Sequence, residues 1–236
     1  MENEKLEHKL NEIAAALRFQ IGTRGVPWVK DLSLKAENFA VSYDYMFVMV
    51  QVMEHMNPKN ILEFSLGQSS KILARYCDGF YYPCVKYDVI EQNDEWIQFF
   101  KSEFDSHNQL ERMKIHYIPM IKVKDPEYGT ELNQYEDIGD VVRGRKFDFI
   151  SIDGPFGSER NSRTDILQYI PQCLTESWCI MLDDYGRQGE YDMISKLKGI
   201  LDGSGIKYRG KEYGVGAEKQ FYLICSEDNK FLTTLL

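Results

Sequence analysis

Residues 60–70 read Asn60-Ile61-Leu62-Glu63-Phe64-Ser65-Leu66-Gly67-Gln68-Ser69-Ser70. Five residues of strand character run into a turn of small residues, and Lys71 to Tyr76 carries on as a helix. A strand that enters a helix through such a turn is the opening half of a βαβ unit. Small residues in the turn let a ligand approach the backbone, and the free N–H groups of the following helix attract a carboxylate or phosphate.

The same alternation continues on the C-terminal side. Strands are predicted at 87–91, 114–119, 147–153 and 178–182, with helices after Glu91, at 164–173 and at 190–201. Residues 206–213 and 220–225 read as two further strands, separated by too little chain for a crossover, so they pair antiparallel. Apolar strands separated by helices form a parallel sheet covered on both faces. The predicted fold is α/β: a doubly wound, mostly parallel seven-stranded sheet with an antiparallel last strand. Residues 122–146 are polar and turn-rich and read as an insertion or long surface loop. On the N-terminal side, residues 41–56 form a strongly apolar helix ended by Asn57-Pro58. Residues 1–21 form another helix with one stripe of Leu6, Leu10, Ile13, Ala14 and Leu17. We divide the chain into a helical extension, 1–40, and a Rossmann-like domain, 41–236. The stripe is expected to cap the domain and to support a homodimer.

The chain has 236 residues with 28 Lys and Arg against 37 Asp and Glu, a net charge of −9. So acidic a chain does not attract nucleic acid through its overall field. The N-terminus lacks a secretory signal pattern, and no uncharged apolar run reaches the ~18 residues that span a membrane. The five cysteines, at 77, 84, 173, 179 and 225, form no CxxC pair and read as buried small hydrophobes. These features are those of a reduced, cytoplasmic protein. None of the histidines, at 8, 55, 107 and 116, has a partner at metal-ligand spacing.

In open α/β sheets ligands bind beyond the carboxyl ends of the strands. The polar residues expected there are Glu63, Ser65 and Gly67, then Glu91, Asp153 and the pair Asp183-Asp184. Glu91 follows Gly67 by 24 residues, where a carboxylate can accept the hydroxyls of a ribose. Three aspartates crowded at two neighbouring strand ends repel, and a hard divalent ion such as Mg²⁺ or Mn²⁺ relieves that repulsion. Arg160, Arg163 and Arg187 lie near the same strand ends, where they could clamp an anionic group.

The segments ILEFSLGQSS, YDVIEQNDEW, FDFISIDGP and CIMLDD together resemble the class I S-adenosylmethionine-dependent methyltransferases over about residues 60–225. The family's acidic-x-Gly-x-Gly turn has Ser65 at its first glycine. The resemblance implies that Gly67 and its neighbours Glu63, Ser65 and Ser69 hold the methionine part of S-adenosylmethionine. It implies that Glu91 holds the ribose, that Asp153 borders the cofactor, and that Trp96 or Pro119-Met120 approaches the adenine. The acidic strand ends also resemble the metal-dependent O-methyltransferases of the catechol type, implying a metal on Asp153, Asp183 and Asp184 and catalysis through Asp153 and Asp184. The element DGPFG followed by Ser158 to Arg163 resembles polysaccharide methyltransferases of the glucuronoxylan type. The activity implied is O-methylation of a sugar or other small molecule, with an anionic acceptor suiting the arginines. On the residues alone two other readings stay open: a nucleotide-linked dehydrogenase or epimerase, and a non-catalytic binding module on the same fold.

Overall fold

The structure is a computed structural model and describes residues 2–29, 32, 34, 41–78, 85–104, 112–214 and 219–236. Cys84, His107 and most of the glycine-rich link before residue 219 lie outside the described residues. In chain order the elements are α1 (Glu2–Thr23), α2 (Tyr43–Met56), β1 (Asn60–Phe64), α3 (Gln68–Cys77), β2 (Lys86–Glu91), α4 (Asp94–Phe104), β3 (Met113–Tyr117), β4 (Met120–Lys124), β5 (Glu131–Tyr135), α5 (Gly139–Val142), β6 (Phe147–Ile152), β7 (Leu174–Leu182), α6 (Gln188–Gly203), β8 (Tyr208–Tyr213) and β9 (Phe221–Ser226).

Seven strands form one sheet in the order β3-β2-β1-β6-β7-β9-β8. The strands from β3 to β7 pair in parallel, and β9 runs antiparallel between β7 and β8. Alternate residues of each strand feed two separate cores. Ile61, Val89, Phe149, Met181 and Leu223 face α2 and α3. Leu62, Ile90, Ile150, Ile180 and Ile224 face α5 and α6. Burial on both faces is why these strands read as continuous apolar runs. The sheet reverses its direction of growth between β1 and β6, and the crevice above that point is where an open α/β sheet receives a ligand.

Three expectations change. The stretch 122–146 is not one loop: β4 and β5 pair as a hairpin and α5 follows. Residues 164–173 do not form a full helix; a 3₁₀ turn spans Asp165–Tyr169. Pro171 explains this, because the residue before a proline is driven out of helical backbone and proline cannot donate. The stripe on α1 does not pack on the sheet domain either. Leu6, Leu10, Ile13 and Leu17 are 50–58% exposed and Ile21 is 72% exposed. The inward face is Ala15, Phe19, Gly22 and Thr23, where Ala15 is buried and a Cβ on Gly22 would meet the Phe47 ring at 2.4 Å. Small residues at this spacing let two helix backbones approach closely, so they win the contact over the bulkier stripe.

Cys77, Cys173, Cys179 and Cys225 are free and buried, as the sequence predicts. His116 hydrogen-bonds Asp88 Oδ1 at 2.7 Å, and Arg145 bonds the other oxygen. Burial pushes the Asp88 carboxyl up, but these two partners outweigh it and bring it down to about 2.

Gly189, in the first turn of α6, fixes the loop that carries Arg163. A Cβ there would lie 2.3 Å from the Ser158 carbonyl oxygen and 2.7 Å from Ser162 Cβ. Gly189→Ala is therefore expected to destabilise the fold by about 1–3 kcal/mol through overpacking, despite the better helix propensity of alanine. Urea unfolding of the two proteins checks this.

Candidate active site

The turn after β1 is built around two buried glutamates. Glu63 is turned inward from the strand end. Its Oε2 accepts from Ser70 Oγ at 2.6 Å and from the Tyr87 hydroxyl, while its Oε1 has no partner. Burial pushes the carboxyl up to about 7, although hydroxyls of Ser69, Ser70 and Tyr87 oppose the shift. Ser69 is likewise buried. Glu63 and Ser69 thus support the turn from below. A raised folded value means that the stability from a protonated Glu63 is complete below pH 4.5 and is lost as pH rises through about 7. Glu63→Gln is expected to remove that slope, gaining roughly 1–3 kcal/mol on the wild type by pH 8. Unfolding curves between pH 5 and pH 8 would show no such divergence if Glu63 stayed ionised throughout.

Glu91, at the end of β2, closes the turn from the other side. Its Oε2 accepts from Leu66 N at 2.8 Å and its Oε1 from Asn93 N at 2.8 Å. Burial raises this carboxyl, against the hydrogen bonds from Leu66 and Asn93. Ser65 Oγ adds a longer bond to Oε2 at 3.4 Å, and since a carboxylate offers about four acceptor positions, one remains after these three bonds. Trp96 Nε1 donates to Leu66 O at 2.6 Å, which holds the indole beside the turn. Ser65 adopts φ 78°, a left-handed conformation that glycine takes without strain. This is the position at which the sequence departs from the acidic-x-Gly-x-Gly pattern, and the serine takes up the glycine's backbone. A Cβ on Gly67 would meet nothing within 4 Å. The crevice is therefore open directly above Gly67, at the N-terminus of α3. These features fit a nucleoside with an attached amino acid: an open turn at a helix N-terminus, an acid at the end of the next strand and an aromatic side chain beside them.

The far wall comes from β6 and β7. Asp153, Asp183 and Asp184 each bring an oxygen within 4.8 Å of the others, so the three aspartates converge. Burial raises Asp183 well above the ordinary carboxylate range, reinforced by Asp153 and Asp184. Asp153 is pushed up to about 6, by burial first and by Asp184, against the pull of Arg163. Gly154 packs tightly on the first turn: a Cβ there would lie 2.8 Å from Ser65 Cβ and 2.6 Å from the Tyr135 hydroxyl.

Arg163 lies inside this acidic wall. One nitrogen, Nη2, bridges Asp184 Oδ2 at 2.9 Å and Asp153 Oδ1 at 3.2 Å. Nη1 donates to Asp183 O at 3.2 Å and Nε to Pro155 O at 3.3 Å, with Glu190 Oε1 at 3.6 Å. Its side chain is only 4% exposed. Burial disfavours the charged guanidinium, but Asp153, Glu190 and Asp184 outweigh it and raise its pKa above the usual value. The expected clamp of three arginines is thus divided. Arg163 serves the aspartates. Arg160 pairs with Asp192 through Nε at 2.6 Å and lies over the Tyr128 ring. Arg187 reaches Asp184 Oδ2 at 2.8 Å with its side chain 58% exposed, the most exposed of the three.

Three residues of the site had no motif to announce them. Tyr135, at the end of β5, packs on Phe64 and lies 3.1 Å from Gln92 Oε1. Glu190 is buried on α6 and accepts from Ser162 at 2.9 Å. Tyr45, on α2, lies 2.9 Å from Ser151 Oγ beneath the aspartates. Asn161, Arg163 and Asp184 have φ of 50°, 57° and 60°. Non-glycine residues in this region cluster where surrounding structure over-determines them, as at functional sites.

No protein-family model matches the chain, and no curated protein does. Among solved structures the chain is similar to an O-methyltransferase from Bacillus cereus in complex with SAH, with a TM-score of 0.53, 14% identity and 90% of each chain covered. It is similar to a putative O-methyltransferase from Klebsiella pneumoniae, with a TM-score of 0.54, 13% identity and coverage of 90% of this chain and 89% of that one. The O-methyltransferase TomG from Streptomyces achromogenes, involved in tomaymycin synthesis and in complex with SAM, gives a TM-score of 0.51 at 13% identity, with 90% and 89% covered. At these identities the likeness establishes a methyltransferase-type Rossmann-like fold.

Proposed function

We propose that the protein is an S-adenosylmethionine-dependent O-methyltransferase acting on a hydroxyl of a saccharide or other small molecule. One observation carries this reading. The crevice at the point where the sheet reverses joins an open Gly67 turn and Glu91 on one wall to partly exposed carboxylates on the other. The neighbours named as O-methyltransferases, two of them with SAM or SAH, support it.

In this reading the cofactor supplies an electrophilic methyl group on a sulfonium. Gly67 and the N-terminus of α3 receive its amino-acid part, Glu91 accepts its ribose hydroxyls, and Trp96 borders the adenine. Ser65 lines the turn, with Glu63 and Ser69 holding it in shape. Asp153, with its side chain 24% exposed, accepts the proton of the attacking hydroxyl. Asp184 orients that hydroxyl. The oxygen–carbon bond forms as the carbon–sulfur bond breaks, and S-adenosylhomocysteine leaves. Most of the acceleration comes from holding the two reactants in line. Arg187 at the mouth favours an acceptor that carries an anionic group. Incubation with isotopically methyl-labelled cofactor and a panel of sugars and uronic acids tests the reading. Failure to transfer label, together with no calorimetric binding of S-adenosylhomocysteine, would overturn it.

We assign a second copy of this chain to the exposed stripe of α1. Five large apolar side chains that are 50–72% exposed form one stripe along the helix, and a contiguous exposed apolar stripe marks a surface for association. Light scattering is expected to show a dimer, and Leu10→Glu with Leu17→Glu a monomer of unchanged secondary structure. A wild type monomeric at high concentration would refute the assignment.

A further inference from the structure

We infer that the guanidinium of Arg163 occupies the place in the aspartate cluster where the sequence suggests a divalent ion, so that the site works with a cation built into the chain. Asp153, Asp183 and Asp184 repel one another, and that repulsion is what points from sequence to a metal. The structure answers that repulsion from within. Nη2 of Arg163 bridges one oxygen of Asp153 and one of Asp184, as a shared cation would. Nη1 and Nε are anchored on the carbonyls of Asp183 and Pro155, so the group is held from the ends of both β6 and β7. Arg187 adds a second positive charge on Asp184, and the charge of Lys219 is felt at Asp153. Four carboxylates, counting Glu190, thus face three cations of the chain.

A divalent ion fits this arrangement poorly. Mg²⁺ and Mn²⁺ need oxygens at about 2.0–2.1 Å in near-octahedral array. Binding the same carboxylates would place the ion beside a guanidinium that has almost no solvent around it and cannot lose its proton. Arg163 cannot withdraw without leaving a buried charge unpaired, and its left-handed backbone fixes it there. Arg163 is in this view a positioning residue: it touches no acceptor but sets the orientation of Asp153 and Asp184, which do.

The test reads ion binding and is independent of methyl transfer, so its failure is distinct from failure of the proposed activity. Wild-type protein titrated with Mn²⁺ and followed by electron paramagnetic resonance should show no site-bound ion at millimolar concentration. Its melting temperature should not change with Mn²⁺ or EDTA. Arg163→Gln, which removes the charge and withdraws the side chain from the aspartates, should bind Mn²⁺ at least about tenfold more tightly than the wild type. Adding Asp183→Asn to that variant should abolish the binding, and Arg163→Lys, which keeps the charge, should not gain it. A wild type that binds Mn²⁺ and loses it in Asp183→Asn overturns the inference. So does a folded Arg163→Gln that gains no affinity. If Arg163→Gln does not fold, the wild-type melting comparison decides: stabilisation by Mn²⁺ refutes, and an unchanged midpoint supports.

Discussion

Glu91→Ala is expected to weaken S-adenosylhomocysteine binding by about 10- to 150-fold. Hydrogen bonds to an ionised acceptor contribute about 1.5–3 kcal/mol, which is the affinity range stated. The structure adds a second route to the same loss. Glu91 accepts from Leu66 N and Asn93 N, so alanine also frees two backbone donors and loosens the turn that leads to the open face of Gly67. Glu91→Gln separates the two effects, because its amide oxygen can keep one backbone bond while the group loses its charge. Calorimetric titration that finds equal affinity in wild type and Glu91→Ala would remove Glu91 from the cofactor site. The proposed methyltransferase reading would then have to rest on the turn alone.

The second large effect belongs to the opposite wall. Asp153→Asn is expected to lower methyl transfer by about 10²- to 10⁴-fold, the range for loss of a positioned proton acceptor. The amide keeps an oxygen toward Arg163 Nη2, so the bridge to Asp184 at 2.9 Å and the packing of Gly154 on Ser65 remain. Cofactor affinity should stay within about threefold, since Glu91 and Gly67 are untouched. A variant that binds cofactor normally and transfers methyl groups at the wild-type rate would relieve Asp153 of the role. Asp184 would then be next to examine, although both arginines already hold its Oδ2.

The alternation of strands and helices was legible because the central strands β1, β2, β6 and β9 are buried on both faces while the helices between them bury one. Period alone separates those cases. The carboxyl ends of the strands were legible from the change from apolar to acidic residues at Glu63, Glu91, Asp153 and Asp183, although Glu63, Glu91 and Asp183 stay buried. The hairpin of β4 and β5 was harder to see. Its strands are short and mostly solvent-exposed, with only Leu132 and Tyr135 fully buried, so polarity disguised it as a loop.

What the sequence determined by itself is the mostly parallel sheet and the placement of Ser65, Glu91 and the three aspartates at the carboxyl ends of its strands. Those follow from local periodicity and from the rule that parallel strands present their carboxyl ends together. The tertiary structure decided what the aspartates hold. Arg163, ten residues beyond Asp153, reads from sequence as one of three arginines placed to clamp an anionic group. Only the loop backbone, with Asn161 and Arg163 at positive φ and Gly189 admitting the Ser158 carbonyl, turns it inward. Backbone reversals of this kind leave no periodic signal. The outward stripe of α1 was decided the same way: the contact with α2 went to Ala15 and Gly22, because close approach depends on the shape of the partner surface and not on the hydrophobicity of one helix.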